Sequence, residues 1–328
     1  MSGAREPAPF FILGAPRTGT TLLRRFLTAH SRLAIPTESG FMVDYLEATD
    51  VSLALKKRLL SVEPEIDYWR IDLSVAELAP LESIGACFAH AHQRYAEARG
   101  KDLWGNKTPK LVRATDLLMT HFPGCRFLHT VRDGRAVAAS LRKSRAHRLH
   151  PLHGASRYAK DTALGLALER EHPERVLRVR YEDLVTDLEP VIRKVCDFLA
   201  IDFEASMLDP DQELLLTPAE REAGHHRNVS KPVDAAFVEK WKSELTAAEV
   251  ALVEHVAGEV IAEAGYEVGE PMEPDASLLR EARLHHLRLT VRKAIAELRD
   301  RPDVWRIARR RLQLGSLRRM LGDHVRGL

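Results

Sequence analysis

Short apolar runs alternate with longer amphipathic segments through most of the chain. The apolar runs predict β-strands at Phe10–Leu13, Leu33–Pro36, Cys125–Val131 and Val176–Val179. Apolar residues at helical spacing predict helices at Thr20–His30, Leu111–His121, Ala136–Lys143 and Leu188–Leu199, with several more between residues 44 and 100. Strands that alternate with helices form parallel sheets covered on both faces. We therefore predict an α/β fold of three layers, in which helices flank a central parallel sheet.

The C-terminal part follows a different pattern, in which arginines lie between regularly spaced apolar residues. The apolar positions predict two helices separated by Pro302: Leu284, Leu287, Val291, Ile295 and Leu298 in the first, and Val304, Ile307, Ala308 and Leu312 in the second. The arginines fill the opposite side of each helix. We predict surface helices packed on the body or on a second subunit, as in a homodimer.

Charge is distributed unevenly along the 328 residues, although the net charge is only +2. Residues 276–328 carry 14 Lys and Arg against 5 Asp and Glu, a balance of +9 that leaves −7 for the rest. An anion site in the body must therefore be built from local groups. A basic helical face also suits an acidic partner or a membrane surface, which is the second interpretation of the tail. We expect no nucleic-acid partner.

Segments that would direct the chain to a membrane or to secretion are missing from the sequence pattern. No apolar run approaches the roughly 20 residues that span a bilayer, and the N-terminal apolar stretch is shorter than the roughly 7–15 residues of a signal peptide. The three cysteines form no C-x-x-C pair, which argues against a disulfide framework or a thiolate zinc site. We expect a cytoplasmic protein without a bound metal.

The first predicted strand leads into Gly14-Ala15-Pro16-Arg17-Thr18-Gly19-Thr20-Thr21. This loop keeps the two glycines and the final hydroxyl of the G-x-x-x-x-G-K-[ST] phosphate-binding pattern, but Thr20 replaces the lysine. Backbone amides and the N-terminus of the following helix can still bind an anion. Arg17 is the natural replacement cation, because its planar fork suits a tetrahedral oxyanion. A strand, a glycine turn and a helix also occur as ordinary packing, so the loop alone does not decide.

A second strand–helix unit carries chemistry of the same kind. The stretch FLHTVRDGRAVAASL places Arg132 at the end of a predicted strand and Ser140 about two turns into the next helix. A structural arginine in an ion pair is the alternative for Arg132. Two such elements in order, each after a strand, argue against a purely structural role for both.

These motifs resemble those of sulfotransferases. GAPRTGTTLL resembles the family's 5′-phosphosulfate loop, usually P-R-S-G-T-T, with Thr18 in place of serine, and the Arg132 unit resembles its 3′-phosphate element. WGNKTPKL, RYEDLV and SKPVDAAFVEKW resemble segments of tyrosylprotein sulfotransferases and their bacterial relatives. The likeness extends from about Phe10 to Tyr266. We accordingly divide the chain into a sulfotransferase domain, residues 1–270, and a basic helical extension, residues 271–328.

The resemblance implies a P-loop-like fold, the donor 3′-phosphoadenosine 5′-phosphosulfate (PAPS), the product 3′-phosphoadenosine 5′-phosphate (PAP), and metal-independent sulfuryl transfer to a hydroxyl or amine. It assigns nucleotide binding to the following residues: Arg17, Thr18, Gly19, Thr20, Thr21, Arg132, Ser140, Tyr181 and Lys231. Lys107 and Arg17 would stabilise the charge that develops on the leaving nucleotide. Glu38, just after the second predicted strand, matches the general base of tyrosylprotein sulfotransferases.

Other sulfotransferases use a histidine as base, so the histidines remain open alternatives. His129 lies inside a predicted strand and favours a core role, whereas His225 and His226 precede Lys231 and could line an acceptor pocket.

Two rival functions and several acceptors stay open. A kinase or NTPase with a degenerate loop would need a magnesium-binding aspartate, for which Asp133 is available. A non-catalytic nucleotide-binding scaffold would not need Glu38 or Lys107. For an enzyme, the acceptor could be a peptide tyrosine, a carbohydrate, a lipid or another small molecule. The segments 41–104 and 145–172, which we expect to form the acceptor pocket, carry no motif that distinguishes them.

Overall fold

A computed structural model describes residues 8–144, 148–209, 236–270, 277–282, 284–285, 288 and 304–315. Its strands are β1 (Phe10–Gly14), β2 (Leu33–Ala34), β3 (Leu103–Lys107), β4 (Arg126–Val131) and β5 (Val176–Arg180). The helices of the body begin with α1 (Thr20–Thr28), α2 (Met42–Leu46), α3 (Leu53–Leu60), α4 (Pro64–Asp67), α5 (Val75–Leu78) and α6 (Ile84–Glu97). They continue with α7 (Thr115–His121), α8 (Gly134–Lys143), α9 (Pro151–Glu171), α10 (Tyr181–Thr186) and α11 (Leu188–Leu199). Two 3₁₀ helices span Pro109–Arg113 and Ala205–Met207, and further helices span Ala236–Glu239, Trp241–Glu244, Ala247–Glu263 and Val304–Gln313, the last termed the C-terminal helix.

The described strands form one parallel sheet in the order β2-β3-β1-β4-β5. In its register Ile12 is opposite Lys107, Gly14 opposite Thr130, and Val131 opposite Arg180. The carboxyl ends of four neighbouring strands therefore meet along one edge. Ligands of open α/β sheets bind at this edge, so the fold brings the loops after β1, β3, β4 and β5 to one place.

Both faces of the sheet are buried, as the alternation along β1 illustrates. Phe11 and Leu13 belong to one apolar core, packed with residues of α2, α3, α6 and α7. Phe10 and Ile12 belong to a second core on the opposite face, with residues of α1 and α11. A third core joins α8, α9 and the helix Ala247–Glu263. The prediction of an α/β fold with three layers is confirmed.

The sequence pattern predicts no strand between Pro36 and Cys125, whereas the structure has β3 in this interval. Five residues, Leu103–Lys107, form this strand between β2 and β1. Its glycine and its two polar residues at the carboxyl end hide the strand pattern, because the run has only two apolar residues. The predicted helix Leu111–His121 is also divided: its first part is the 3₁₀ helix and α7 begins at Thr115.

The C-terminal helix packs against the body. Arg310 is only 4% exposed, and Leu314 belongs to the same apolar core as Phe11. The prediction that the arginines of this helix face away from the body is wrong for Arg310, and Leu312, assigned to the packed face, is exposed. Acidic side chains of the body bind Arg310 and thereby set the orientation of the helix. The division of the chain at residue 270 stays a prediction.

Within the residues described, none of the helices combines the length and the apolar character needed to cross a bilayer.

Candidate active site

The loop between β1 and α1 has a backbone that glycine makes possible at both ends. Gly14 has a φ of 141°, and a Cβ there would lie 2.5 Å from the carbonyl oxygen of Thr130. Gly19, with a φ of 96°, precedes α1, and no side chain caps the helix at this end. The first amides of a helix have no intrahelical acceptor. Since Thr20 and Thr21 open α1, this end is suited to bind an anion.

Thr18 holds the loop to the sheet. Its hydroxyl donates to the carbonyl oxygen of Ala15 at 2.7 Å and lies 2.6 Å from the hydroxyl of Thr130. The side chain is buried. Any contact of Thr18 with a nucleotide would therefore involve its backbone.

Four residues predicted to bind nucleotide lie together beside this loop. Arg17 donates from Nε to the Ser140 hydroxyl at 2.9 Å, and Arg132 donates to the carbonyl oxygen of Arg17 at 3.3 Å. The guanidinium carbon of Arg132 lies 3.9 Å from the centre of the Tyr181 ring. The same ring packs on Gly19, where a Cβ would lie 2.8 Å from it. These residues are far apart in the sequence. They meet because α1, β4, α8 and α10 all begin or end at this edge of the sheet.

In the part of the chain that the structure describes, the two arginines of this group have no carboxylate partner. Among the described residues, no Asp or Glu oxygen lies within 4 Å of Arg17 or Arg132, and the buried Nε of Arg132 has no hydrogen-bond partner. Burial lowers the pKa of Arg17 to about 10, and the positive charge of Arg132 adds to the decrease. An anion bound between them would relieve this repulsion.

Asp133, the aspartate available to a magnesium-dependent enzyme, has structural partners. It caps α8 by accepting from the backbone amide of Arg135 at 2.8 Å. Its carboxylate also accepts from Nε and Nη2 of Arg135, at 3.0 and 2.7 Å. Arg135 in turn binds Glu254 at 2.8 Å. Asp133 therefore works as a helix cap that anchors the helix Ala247–Glu263.

The predicted base and the predicted catalytic lysine are in direct contact. Nζ of Lys107, at the end of β3, donates to Oε1 of Glu38 at 2.7 Å. The lysine side chain is fully buried, whereas about a third of the glutamate side chain, 35%, is exposed. The pair thus has a buried cation and an accessible carboxylate, the arrangement expected of a base that meets a substrate.

A buried hydrogen-bond network fixes the backbone on either side of this pair. Thr108 accepts from the amide of Ser39 at 2.9 Å and donates to Oδ1 of Asn106 at 2.9 Å. The Asn106 amide nitrogen contacts the Ser39 hydroxyl and lies 3.0 Å from Nε2 of His92. Because Ser39 follows Glu38 and Asn106 precedes Lys107, the network holds the loop after β2 against β3. Sequence reasoning missed this network.

His92 should make the stability of this region depend on pH. Burial lowers the pKa of His92 to about 4, below the ordinary value of 6.5. The unfolded chain therefore binds a proton that the folded chain excludes between pH 6.5 and 4, and the free energy of unfolding falls as the pH falls through this range. We expect a loss of about 2–3 kcal/mol from this residue.

Urea unfolding of wild type and His92→Gln at several pH values measures this effect. The variant should lose that part of the pH slope, while His255→Gln, at an exposed position, should keep the wild-type slope. Equal slopes in wild type and His92→Gln would contradict the assignment.

Other predicted residues fall elsewhere. His129 is buried in β4, where its Nδ1 lies 2.5 Å from Glu169, so its predicted core role is confirmed. Lys231, His225 and His226 lie outside the described residues.

Comparison with known proteins identifies one family. Residues 9–205 match the model of the Sulfotransferase family. The nodulation protein NoeE of Sinorhizobium fredii is 28% identical over 307 residues, which cover 85% of this chain and 71% of that protein. A protein-tyrosine sulfotransferase of Drosophila melanogaster is 27% identical over 74% of this chain, which spans 48% of that enzyme's length.

Solved structures agree with this result. The sulfotransferase domain of the Synechococcus PCC 7002 olefin synthase has a TM-score of 0.58 at 27% identity, covering 81% of this chain and 98% of that domain. A sulfotransferase domain from the curacin biosynthetic pathway has a TM-score of 0.57 at 24% identity, covering 81% of this chain and all of that domain, and supports the fold.

Proposed function

The chain belongs to the sulfotransferase family, whose model matches more than half of it, and we propose that it transfers a sulfuryl group from PAPS to an acceptor hydroxyl or amine. The central support is the pair of arginines at the carboxyl edge of the sheet. Arg17 and Arg132 approach each other without a carboxylate between them in the described part of the chain, beside the uncapped start of α1. A ligand with two separate anionic groups matches this arrangement.

The two anionic groups have distinct binding partners in the proposal. The loop amides, Thr20, Thr21 and Arg17 bind the 5′-phosphosulfate, because they surround the uncapped start of α1. Arg132 and Ser140 bind the 3′-phosphate. The hydrogen bond from Arg17 to Ser140 directly connects the proposed 5′-phosphosulfate subsite with the proposed 3′-phosphate subsite. Lys231, near the phosphates by resemblance alone, stays a prediction.

Catalysis in the proposal uses the contact between Glu38 and Lys107. Glu38 accepts the proton of the acceptor while the acceptor oxygen or nitrogen forms its bond to sulfur. The bond between sulfur and the bridging phosphate oxygen breaks, and the electron pair stays on the departing nucleotide. Lys107 and Arg17 stabilise the negative charge on that oxygen. The buried position of Lys107 strengthens this interaction, because water screens it less there.

The acceptor is not specified by the relatives. The Drosophila relative is by name a protein-tyrosine sulfotransferase, whereas NoeE of Sinorhizobium fredii is by name a nodulation protein. We therefore propose only that acceptor selection depends on the helices around Glu38, from the segments 41–104 and 148–172.

Ligand binding separates the proposal from its rivals. Adenosine 3′,5′-bisphosphate with EDTA should raise the melting temperature of the protein, and ATP with magnesium should not. The reverse result would favour a kinase or NTPase. Incubation with sulfur-labelled donor and fractionated cell extract should then transfer label to an acceptor, whereas binding without any transfer would favour a non-catalytic scaffold.

Arg132→Ala should weaken bisphosphate binding by about 1.5–3 kcal/mol, the range for a hydrogen bond to a charged group. This corresponds to an increase in Kd of about 10- to 150-fold. Isothermal titration calorimetry measures it directly. Arg193→Ala removes the same charge from an exposed site on α11 and should leave Kd unchanged. Equal affinities of the Arg132 variant and wild type would remove the 3′-phosphate assignment.

A further inference from the structure

The loop that carries Glu38 runs from β2 directly into α2. Three residues separate Glu38 from Met42, the first residue of α2. The amide of Met42 donates to the carbonyl oxygen of Ser39 at 2.9 Å, so the loop and the start of the helix share a hydrogen bond. A shift of α2 would therefore move the backbone next to Glu38.

The position of α2 depends on its neighbours. The helix has only five residues, Met42–Leu46, and helices shorter than about 12 residues are stabilised mainly by tertiary packing. Its apolar contacts include Phe41, whose ring centre lies 6.3 Å from that of Trp69 and 5.8 Å from that of Phe88. The carboxylate of α2, that of Asp44, is instead bound by a distant part of the chain, the C-terminal helix.

Arg310 of the C-terminal helix joins α2 to α4. Its Nη2 donates to Asp44 on α2 at 2.8 Å. Its Nη1 donates to Glu63, which precedes α4, at 2.7 Å and to Glu65 on α4 at 2.6 Å. Glu63 also accepts from the hydroxyl of Tyr45, so α2 is attached to this group at two points. One guanidinium thus connects two elements of the body through three carboxylates.

These carboxylates would repel one another without the guanidinium. Like charges interact strongly where water is excluded, as at the fully buried side chain of Glu63. Arg311 also contacts Asp44, at 3.4 Å, but its side chain is 35% exposed. We expect that loss of Arg310 would let α2 move away from α4, and that the loop before α2 would follow.

We propose that Arg310 is a positioning residue of the acceptor site: through Asp44 and Glu63 it fixes α2, and α2 fixes the loop that presents Glu38 to the acceptor. Part of the basic extension then belongs to the working enzyme. This inference rests on the proposed function, because it takes Glu38 as the base. A displacement of about 1 Å at a reacting group can reduce a rate by about 100-fold.

Hydrogen exchange of the full chain, followed by mass spectrometry, measures the loop directly. Peptides covering residues 37–46 should exchange about 10-fold or more faster in Arg310→Gln than in wild type, and peptides of β4 should change much less. Arg309→Gln removes the same charge from an exposed position on the same helix and should leave residues 37–46 unchanged. Ile192→Ala lowers stability through the core on the opposite face of the sheet, and it should not affect residues 37–46 selectively.

The selectivity of the change decides between positioning and general stabilisation. The proposal is overturned if residues 37–46 exchange as in wild type, if their rise is no larger than that of β4, or if Ile192→Ala reproduces it. If Arg310→Gln does not fold, Arg310→Lys decides. A selective rise of about 3-fold or more then supports the proposal and no rise overturns it, because an ammonium cannot reproduce the planar fork.

Transfer rates separate this inference from the proposed function. The rate to the acceptor found in the extract screen is divided by the number of bisphosphate sites counted by calorimetry, which corrects for unfolded protein. The folded Arg310 variant should be slower than wild type by about 10-fold or more, and Ile192→Ala should match wild type. Equal rates would overturn the positioning role. Failure of wild type to bind the bisphosphate or to transfer overturns the proposed function, while the exchange result still decides whether Arg310 holds the loop.

Discussion

Replacing Glu38 with glutamine is expected to slow sulfuryl transfer by about 10²–10⁴-fold. The amide keeps the shape of the side chain and an oxygen that can accept from Lys107, but it cannot take the proton of the acceptor. The dissociation constant for adenosine 3′,5′-bisphosphate should change little, because the residues that we assign to the nucleotide lie around Arg17 and Arg132. Single-turnover transfer from labelled donor to the acceptor found in the extract screen measures the rate.

Lys107→Ala should reduce the same rate through a different step, since it removes charge stabilisation from the leaving nucleotide. For Glu38→Gln the matched control is Glu97→Gln, which removes the same charge from an exposed position on α6 and should leave the transfer rate unchanged. Transfer at near wild-type rates by both Glu38→Gln and Lys107→Ala would contradict the mechanism. A loss with Lys107→Ala alone would leave the base to a histidine.

Much of this site follows from local sequence because the fold presents it at strand ends. An apolar strand followed by a glycine loop sets the position of Arg17, and a second strand does the same for Arg132. Parallel neighbours then bring both loops to one edge, β1 pairing directly with β4. The contact of Arg17 with Ser140 joins residues 123 positions apart, yet each had a local signal.

The features of the fold and site that the sequence did not predict depend on contacts between distant residues, which leave no local pattern. β3 has too few apolar residues to be recognised, and only its pairing with β1 and β2 makes it a strand. His92 belongs to α6 and would be an ordinary helical residue without Asn106 beside it.

The orientation of the C-terminal helix is the feature that the sequence predicts least well. Contacts of one buried arginine, and not the spacing of apolar residues, decide which side of this helix faces the body. Arg310 donates to Glu63 at 2.7 Å, to Glu65 at 2.6 Å and to Asp44 at 2.8 Å. Glu63 is itself buried and accepts from the Tyr45 hydroxyl at 2.7 Å. Nothing near residue 310 indicates these partners, which lie more than 240 positions earlier. At least one positive charge of the basic tail, that of Arg310, is therefore neutralised by carboxylates within the protein.

Arg310→Ala should therefore destabilise the protein by about 3–5 kcal/mol, the cost of leaving a buried charge unpaired. Burial raises the pKa of Glu63, and the charge of Arg310 opposes that rise. Without Arg310 the pKa of Glu63 rises further, so the folded variant binds a proton more readily than the unfolded chain. Its stability deficit relative to wild type should then shrink as the pH falls from 7.5 towards 5, as protonation removes the buried charge.

Urea unfolding at both pH values measures the deficit, with Arg309→Ala as the matched control. Arg309 is exposed on the same helix, and its replacement should change the free energy of unfolding by no more than about 0.5 kcal/mol. Combining Arg310→Met with Glu63→Gln should recover part of the loss, because the unpaired carboxylate is then removed with its partner. Similar stabilities of the Arg310 and Arg309 variants would mean that the C-terminal helix contributes little to the fold, and the acidic residues of α2 and α4 would then need no internal cation.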